Sequence, residues 1–193
     1  MEKQFNRRTL PVFRGMALST CLIFLLISLF VTLSDAKTAK EINAGVDAAL
    51  KRFVKEIKGG KEFLDAAKGV LVFPGVVKAG AGLAGEYGEG ALRIGGKTIN
   101  YYSTAEASFG LTLGGQKKDI IIVFMEETSL QKFQASSGWK AGVDGSVVVV
   151  KIGAEKTIDT TKFKEPILGF VFGQKGLMVD VSIEGAKFTK IVK

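Results

Sequence analysis

Between Gly69 and Gly96 the chain reads GVLVFPGVVKAGAGLAGEYGEGALRIGG, and nine of these 28 residues are glycine. That is about a third, against roughly 7% in an average protein. No strict three-residue period runs through the stretch and Pro74 is its only proline, so a collagen-like helix is excluded. Glycine inside an apolar β-pattern marks bulges, sharp bends and places where backbones approach closely. The run therefore predicts a strongly bent β-segment built for close contact, and the rest of the fold has to accommodate it.

What precedes the run is helical. Ile42, Val46, Leu50, Phe53, Val54 and Ile57 recur at a 3.6-residue period over Ala39–Lys58, which predicts an amphipathic helix. Lys40, Lys51, Lys55 and Lys58 fall on the opposite face, Gly59-Gly60 supplies a stop, and a second short helix is expected over Lys61–Lys68. The lysine stripe is read either as an ordinary solvated face or as one that meets phosphates.

After Gly69 the period changes to short apolar runs broken by glycine. Strands are expected at Val70–Phe73, Val76–Ala84, Ala91–Ile94, Thr98–Ser103, Ala107–Leu113, Asp119–Met125 and Val143–Ile152, with a tight turn at Gly95-Gly96 and a short helix over Thr128–Gln134. Ile120–Phe124 is continuously apolar, as expected of a strand covered on both faces. Ile167–Phe172, a turn at Gly173–Gly176 and the alternating Leu177–Glu184 complete the pattern. The fold class expected is α+β, with N-terminal amphipathic helices packed on a curved, mainly antiparallel β-sheet or barrel that hides its edges.

Residues 1–36 read as a targeting segment. Lys3, Arg7, Arg8 and Arg14 precede the uncharged stretch Met16–Leu33, and Ser34-Asp35-Ala36 offers small residues for cleavage. Eighteen apolar residues also suffice to cross a bilayer, so a cleaved signal peptide and an uncleaved anchor over residues 16–33 both stand. Either places the remainder outside the cytoplasm, in the periplasm or on the envelope. Residues 37–193 are then a single domain, helical over 37–68 and mainly β over 69–193, with a net charge of +6 once the four basic and two acidic residues of the leader are removed. Cys21 lies in that leader and histidine is absent throughout, which removes disulfides, thiol chemistry, the commonest metal ligand and the commonest general base.

Other chemistry finds little purchase. Gly80, Gly82 and Gly85 spell G-x-G-x-x-G, but Glu86-Tyr87-Gly88-Glu89-Gly90 follows where a dinucleotide site needs the N-terminus of a helix. Glu86 and Glu89 are read as carboxylates of a glycine-flanked polar loop, solvated or hydrogen-bonded to backbone rather than paired for acid–base work, and two are too few for calcium. No catalytic residue, metal ligand or cofactor is expected. Tyr101, Tyr102 and Trp139 have polar tips that suit a membrane interface, although strand alternation puts at least one tyrosine in the core. Basic residues are too dispersed to predict nucleic-acid binding.

In order, the string GVLVFPGVVKAGAGLAGEYGEGAL, Tyr101-Tyr102, Ala107-Ser108-Phe109-Gly110, Gly114-Gly115-Gln116, Asp119–Met125, Ser137-Gly138-Trp139 and the closing GLMVDVSIEGA resembles the SYLF lipid-binding domain family. The resemblance covers most of Ala39–Lys187 and, with an export leader, is to the bacterial branch. It implies binding of phosphoinositides or other acidic phospholipids, with actin association among eukaryotic members; protein partners here are not implied. The family's basic amphipathic N-terminal segment is similar to Ala39–Lys58, which makes Lys40, Lys51, Lys55 and Lys58 the candidate lipid-binding residues. The expectation is a non-enzymatic module that binds acidic headgroups at the bacterial envelope; the alternative is a structural or protein-interaction module of the periplasm.

Overall fold

The first helix begins where the sequence can satisfy its free N–H groups. Thr38 caps α1 (Ala39–Glu56): its Oγ1 accepts from the Glu41 N–H at 3.3 Å while its own N–H donates to Glu41 Oε2 at 2.7 Å. This reciprocal box satisfies two donors at once. The Thr38 N–H, and then the Thr38 hydroxyl donating at 2.8 Å, hold the Glu41 carboxyl below the usual carboxylate range. A short α2 (Gly60–Ala66) follows, preceded by Gly59 at φ 83°. The computed structural model describes residues 36–150, 164–176 and 182–193, leaving aside the side chains of 109–112. Within it Lys37–Lys193 is one compact unit.

The glycine-rich run forms a single strand, β1 (Gly69–Ile94), hairpinned through Gly95-Gly96 to an equally long β2 (Lys97–Phe124). The two turn glycines have φ 55° and 78°, the left-handed values that a two-residue turn between twisted strands needs. The four expected strands at Val70–Phe73, Val76–Ala84, Ala91–Ile94 and Thr98–Ser103, and the two at Ala107–Leu113 and Asp119–Met125, thus belong to two continuous strands. Register shifts at Phe73/Val76, Ala81/Leu83 and Leu92/Arg93 bulge and bend the ribbon without ending it; the first falls at an expected break, the other two inside expected strands, and residues 85–90 between Ala84 and Ala91 are paired throughout.

The bend brings the two arms of β1 against each other. A Cβ on Gly90 would overlap the carbonyl oxygen of Val72, and one on Gly88 would sit 2.7 Å from Val76 Cγ2. Side chains at these two positions would hold the arms apart. That is the structural reason for glycine at 88 and 90.

Each arm recruits further strands along the other edge of β2. Residues 116–124 pair with β5 (Ile167–Gly176), which pairs in parallel with β4 (Val148–Val149). Residues 101–105 pair with β6 (Lys187–Ile191), which pairs with β3 (Gly138–Lys140). Six strands are thus named among the described residues, all but one pair antiparallel, and the sheet curls into a half-barrel. The expected turn at Gly173–Gly176 is instead the bulged end of β5, because Lys175 and Gly176 still find partners in Lys117 and Gln116. Among the described residues of the strand expected at Val143–Ile152, only Val148–Val149 form one; its last two residues, like most of Leu177–Glu184 and residues 1–35 of the leader, lie outside the described residues.

Alternation sorts the apolar residues into two cores. Leu71, Phe73, Tyr102, Ile120, Ile122 and Phe124 face the concave side, where α3 (Glu127–Ala135) closes the curl with Leu130 and Phe133. Val70, Val72, Ile121, Val123, Leu168 and Phe170 face the convex side under α1 and α2. Phe53 of α1 meets Phe170 edge-on at 5.0 Å and Phe172 at 5.3 Å. Burying each such ring stabilises by about 1.5–3 kcal/mol. The helix is also tied polarly: Asn43 Nδ2 donates to Tyr101 Oη at 2.8 Å, and Arg93 of the hairpin donates to Asp47 at 2.7 Å. Val54, expected on the apolar face, is exposed because it lies at the edge of the stripe nearest the lysines.

Candidate functional surface

Lys40, Lys51, Lys55 and Lys58 are all exposed. The buried residues of α1 are Ile42, Val46, Ala49 and Phe53, so three of the lysines project from the side of the helix turned away from the sheet and Lys58 continues the row just beyond its end. From Lys40 to Lys55 the row is about 22 Å long at 1.5 Å per residue. None of the four makes an ion pair among the described residues, whereas Arg52, one position from Lys51, is anchored to buried Asp119 at 2.6 Å. The row therefore offers uncommitted positive charge on a helix whose position is fixed from below.

Two lysines that the sequence reading did not single out extend this charge. Lys117 and Lys175 are exposed neighbours across β2 and β5. Lys117 lines a shallow depression with Lys37, Glu41, Arg52 and Asp119, so it sets a further cation where the flank of α1 meets the sheet.

Glu86 and Glu89 are not in a loop and are not solvated. Both lie in β1 and are almost fully buried. Glu86 pairs with Lys118 at 2.8 Å, and the two side chains are 1% and 0% exposed. Lys78 and Glu106, at 3.6 Å, form a second pair beside it. Since Lys118 and Lys78 come from one arm of the bent ribbon and Glu86 and Glu106 from the other, the pairs clasp the arms together. Glu89 points to the convex side, where it accepts from Lys193 Nζ at 3.1 Å, the Lys37 N–H at 3.1 Å and the Tyr87 hydroxyl at 3.0 Å. Burial, and then this bond to Glu89, push the Tyr87 phenol up. Carboxylates buried against cations in this way are structural ties.

The aromatic residues divide similarly. Trp139 stacks on Phe188 at 5.8 Å and meets Phe133 at 5.7 Å, and Tyr102 packs on Phe133 at 4.9 Å, all within the concave core. Neither is available to a membrane interface. Tyr101 is half-buried under α1 with its hydroxyl accepting from Asn43. Among the described residues no helix is long and apolar enough to cross a membrane.

Comparison with known proteins agrees with the string of motifs. Residues 105–191 match the family model Ysc84, described as "Las17-binding protein actin regulator". Beta cell expansion factor A of Aeromonas veronii is 32% identical over 165 residues, which cover 80% of this chain and 59% of that protein. The chain thus spans rather more than half the length of this curated relative. Ysc84 domains form a binding-type family rather than an enzyme family. With the bent glycine-rich ribbon, the matched segment and the bacterial relative together, the chain belongs to the SYLF (Ysc84) domain family.

Proposed function

We propose that this protein is a non-enzymatic module that binds acidic phospholipid headgroups at the bacterial envelope, through basic residues displayed on a β-rich scaffold. One observation carries the reading: the exposed row of Lys40, Lys51, Lys55 and Lys58, without an ion pair among the described residues, on a helix packed against the sheet by its other face. Ammonium groups on flexible stems meet phosphate oxygens without needing a shaped pocket. Each basic residue close to an anionic membrane contributes about 1 kcal/mol, so the row suffices for reversible, salt-sensitive attachment. The basic leader with its apolar stretch supports a location outside the cytoplasm, in the periplasm or on the envelope.

A structural or protein-interaction module is the second reading, favoured by the family's description as a Las17-binding actin regulator. The two separate on one variant. Lys51, Lys55 and Lys58 replaced together by Gln should leave the melting temperature nearly unchanged, since none touches the core, while affinity for anionic vesicles in a sedimentation assay falls at least about tenfold. Unchanged vesicle affinity in this triple variant would assign the lysine row to solvent and overturn the reading.

A further inference from the structure

The far end of the bent ribbon carries no charge. Residues 79–85 and 107–116 contain no Lys, Arg, Asp or Glu, in a chain that is 24% charged. The clasp of Lys118–Glu86 and Lys78–Glu106 turns the adjoining charges inward. Among the described side chains, the large hydrophobic ones exposed here are aliphatic or aromatic. Val77 is 51% exposed, Leu83 55%, Tyr87 49% and Leu113 79%, with small residues between them. Clustered exposure of this kind marks a surface that meets something.

From this geometry we infer that the bent end of the β1–β2 ribbon is a membrane-inserting tip, which seats Leu83 and Leu113 at the boundary between lipid headgroups and acyl chains. The inference rests on the lipid-binding reading above and assigns it a second, apolar contact. Charge placement selects a lipid surface as the occupant. Lys117 and Lys175 stand in register with Val77 at the root of the tip, where an inserted ribbon would bring them level with the phosphates, and Lys117 lies where the flank of α1 meets the sheet. An apolar end followed by a collar of lysines matches the order in which a membrane presents acyl chains and phosphates.

The lysines at the root, held level with the phosphates, limit the seat to the interfacial layer, about 5–10 Å deep.

The test uses the full chain and vesicles of phosphatidylcholine with or without phosphatidylglycerol. The Leu83→Ser/Leu113→Ser double variant removes apolar surface that is already exposed, so its thermal melt should match wild type. Its affinity for anionic vesicles should fall about tenfold at high salt, where the lysines are screened, and less at low salt. A Leu113→Trp variant should fluoresce as a membrane-seated indole and be quenched by lipids brominated near the top of the acyl chain, against the buried Trp139 as a constant background. Salt-sensitive binding by wild type with no quenching of Leu113→Trp and no loss in the double variant would overturn the tip while leaving the headgroup reading intact. No vesicle binding by wild type at any salt would overturn both. If the double variant instead turns a dimer into a monomer with vesicle affinity unchanged, the surface joins two copies of the chain and the inference is wrong.

Discussion

Replacing Gly90 by alanine is expected to cost more than about 4 kcal/mol and to leave little folded protein at ambient temperature, whereas Gly85→Ala should change stability by less than about 1 kcal/mol. Both positions lie on the same strand and neither has a positive φ. They differ in what a methyl group would meet. At Gly85 it meets nothing within 4 Å; at Gly90 it overlaps the Val72 carbonyl oxygen and reaches 2.7 Å from Phe73 Cδ1. A backbone carbonyl held in the sheet cannot rotate away as a flexible side chain can, so the arms of the ribbon would have to separate and open the concave core. At Gly85 the loss of unfolded-state entropy even favours alanine. Chemical denaturation of the two variants side by side checks this, and a Gly90→Ala variant within about 1 kcal/mol of wild type would show that the arms do not touch.

Breaking the clasp should be nearly as damaging, and mending it with apolar groups should not. Lys118→Met alone leaves the Glu86 carboxylate buried opposite a thioether, and Glu86→Leu alone strands the Lys118 ammonium, whose side chain is 0% exposed. Stranding one member of a buried ion pair costs about 3–5 kcal/mol. The double variant Lys118→Met/Glu86→Leu removes both charges at similar volume, so it should regain most of the loss. A double-mutant cycle by denaturant unfolding gives the coupling directly. Additive single effects would mean that the two groups are solvated independently and do not hold the ribbon bent.

These two variants also show where the sequence was legible and where it was not. The helical period of Ile42, Val46 and Phe53, the turn at Gly95-Gly96 and the doubly covered run Ile120–Phe124 are local patterns, and each formed as its spacing predicts. The half-barrel with helices preceding it followed from the same patterns. Long-range pairing was hidden. Glu86 reads as a loop carboxylate because its partner, Lys118, is 32 residues away on the other arm, and Glu89 because Lys193 is 104 away. A signal for the first pair does exist: Lys117, Lys118 and Asp119 are three consecutive charges at the start of an apolar strand, and strand alternation forces Lys118 to the face opposite its neighbours. An inward lysine requires a buried acid. Glycines 88 and 90 mimic loop composition for a similar reason, since close approach of one arm to the other is invisible until the bend is known. Trp139, with a polar tip that suits an interface, was drawn into the core by Phe133 and Phe188, residues that no spacing rule connects to it, whereas Tyr102 is the core tyrosine that strand alternation called for. The surface around the lysine row was legible as far as α1, but not the further cations Lys117 and Lys175, whose placement depends on the pairing of β2 with β5.

The proposed attachment of exposed lysines to acidic headgroups is checked by co-sedimenting the wild-type chain with neutral phosphatidylcholine vesicles and with vesicles containing phosphatidylglycerol, over a series of salt concentrations. Expected are much tighter binding to the anionic vesicles at low salt, a steady loss of that preference as the screening length shortens to about 8 Å at physiological ionic strength, and only a small, salt-independent remainder. Equal binding to neutral and anionic vesicles at every salt concentration, or binding to neither, would contradict it.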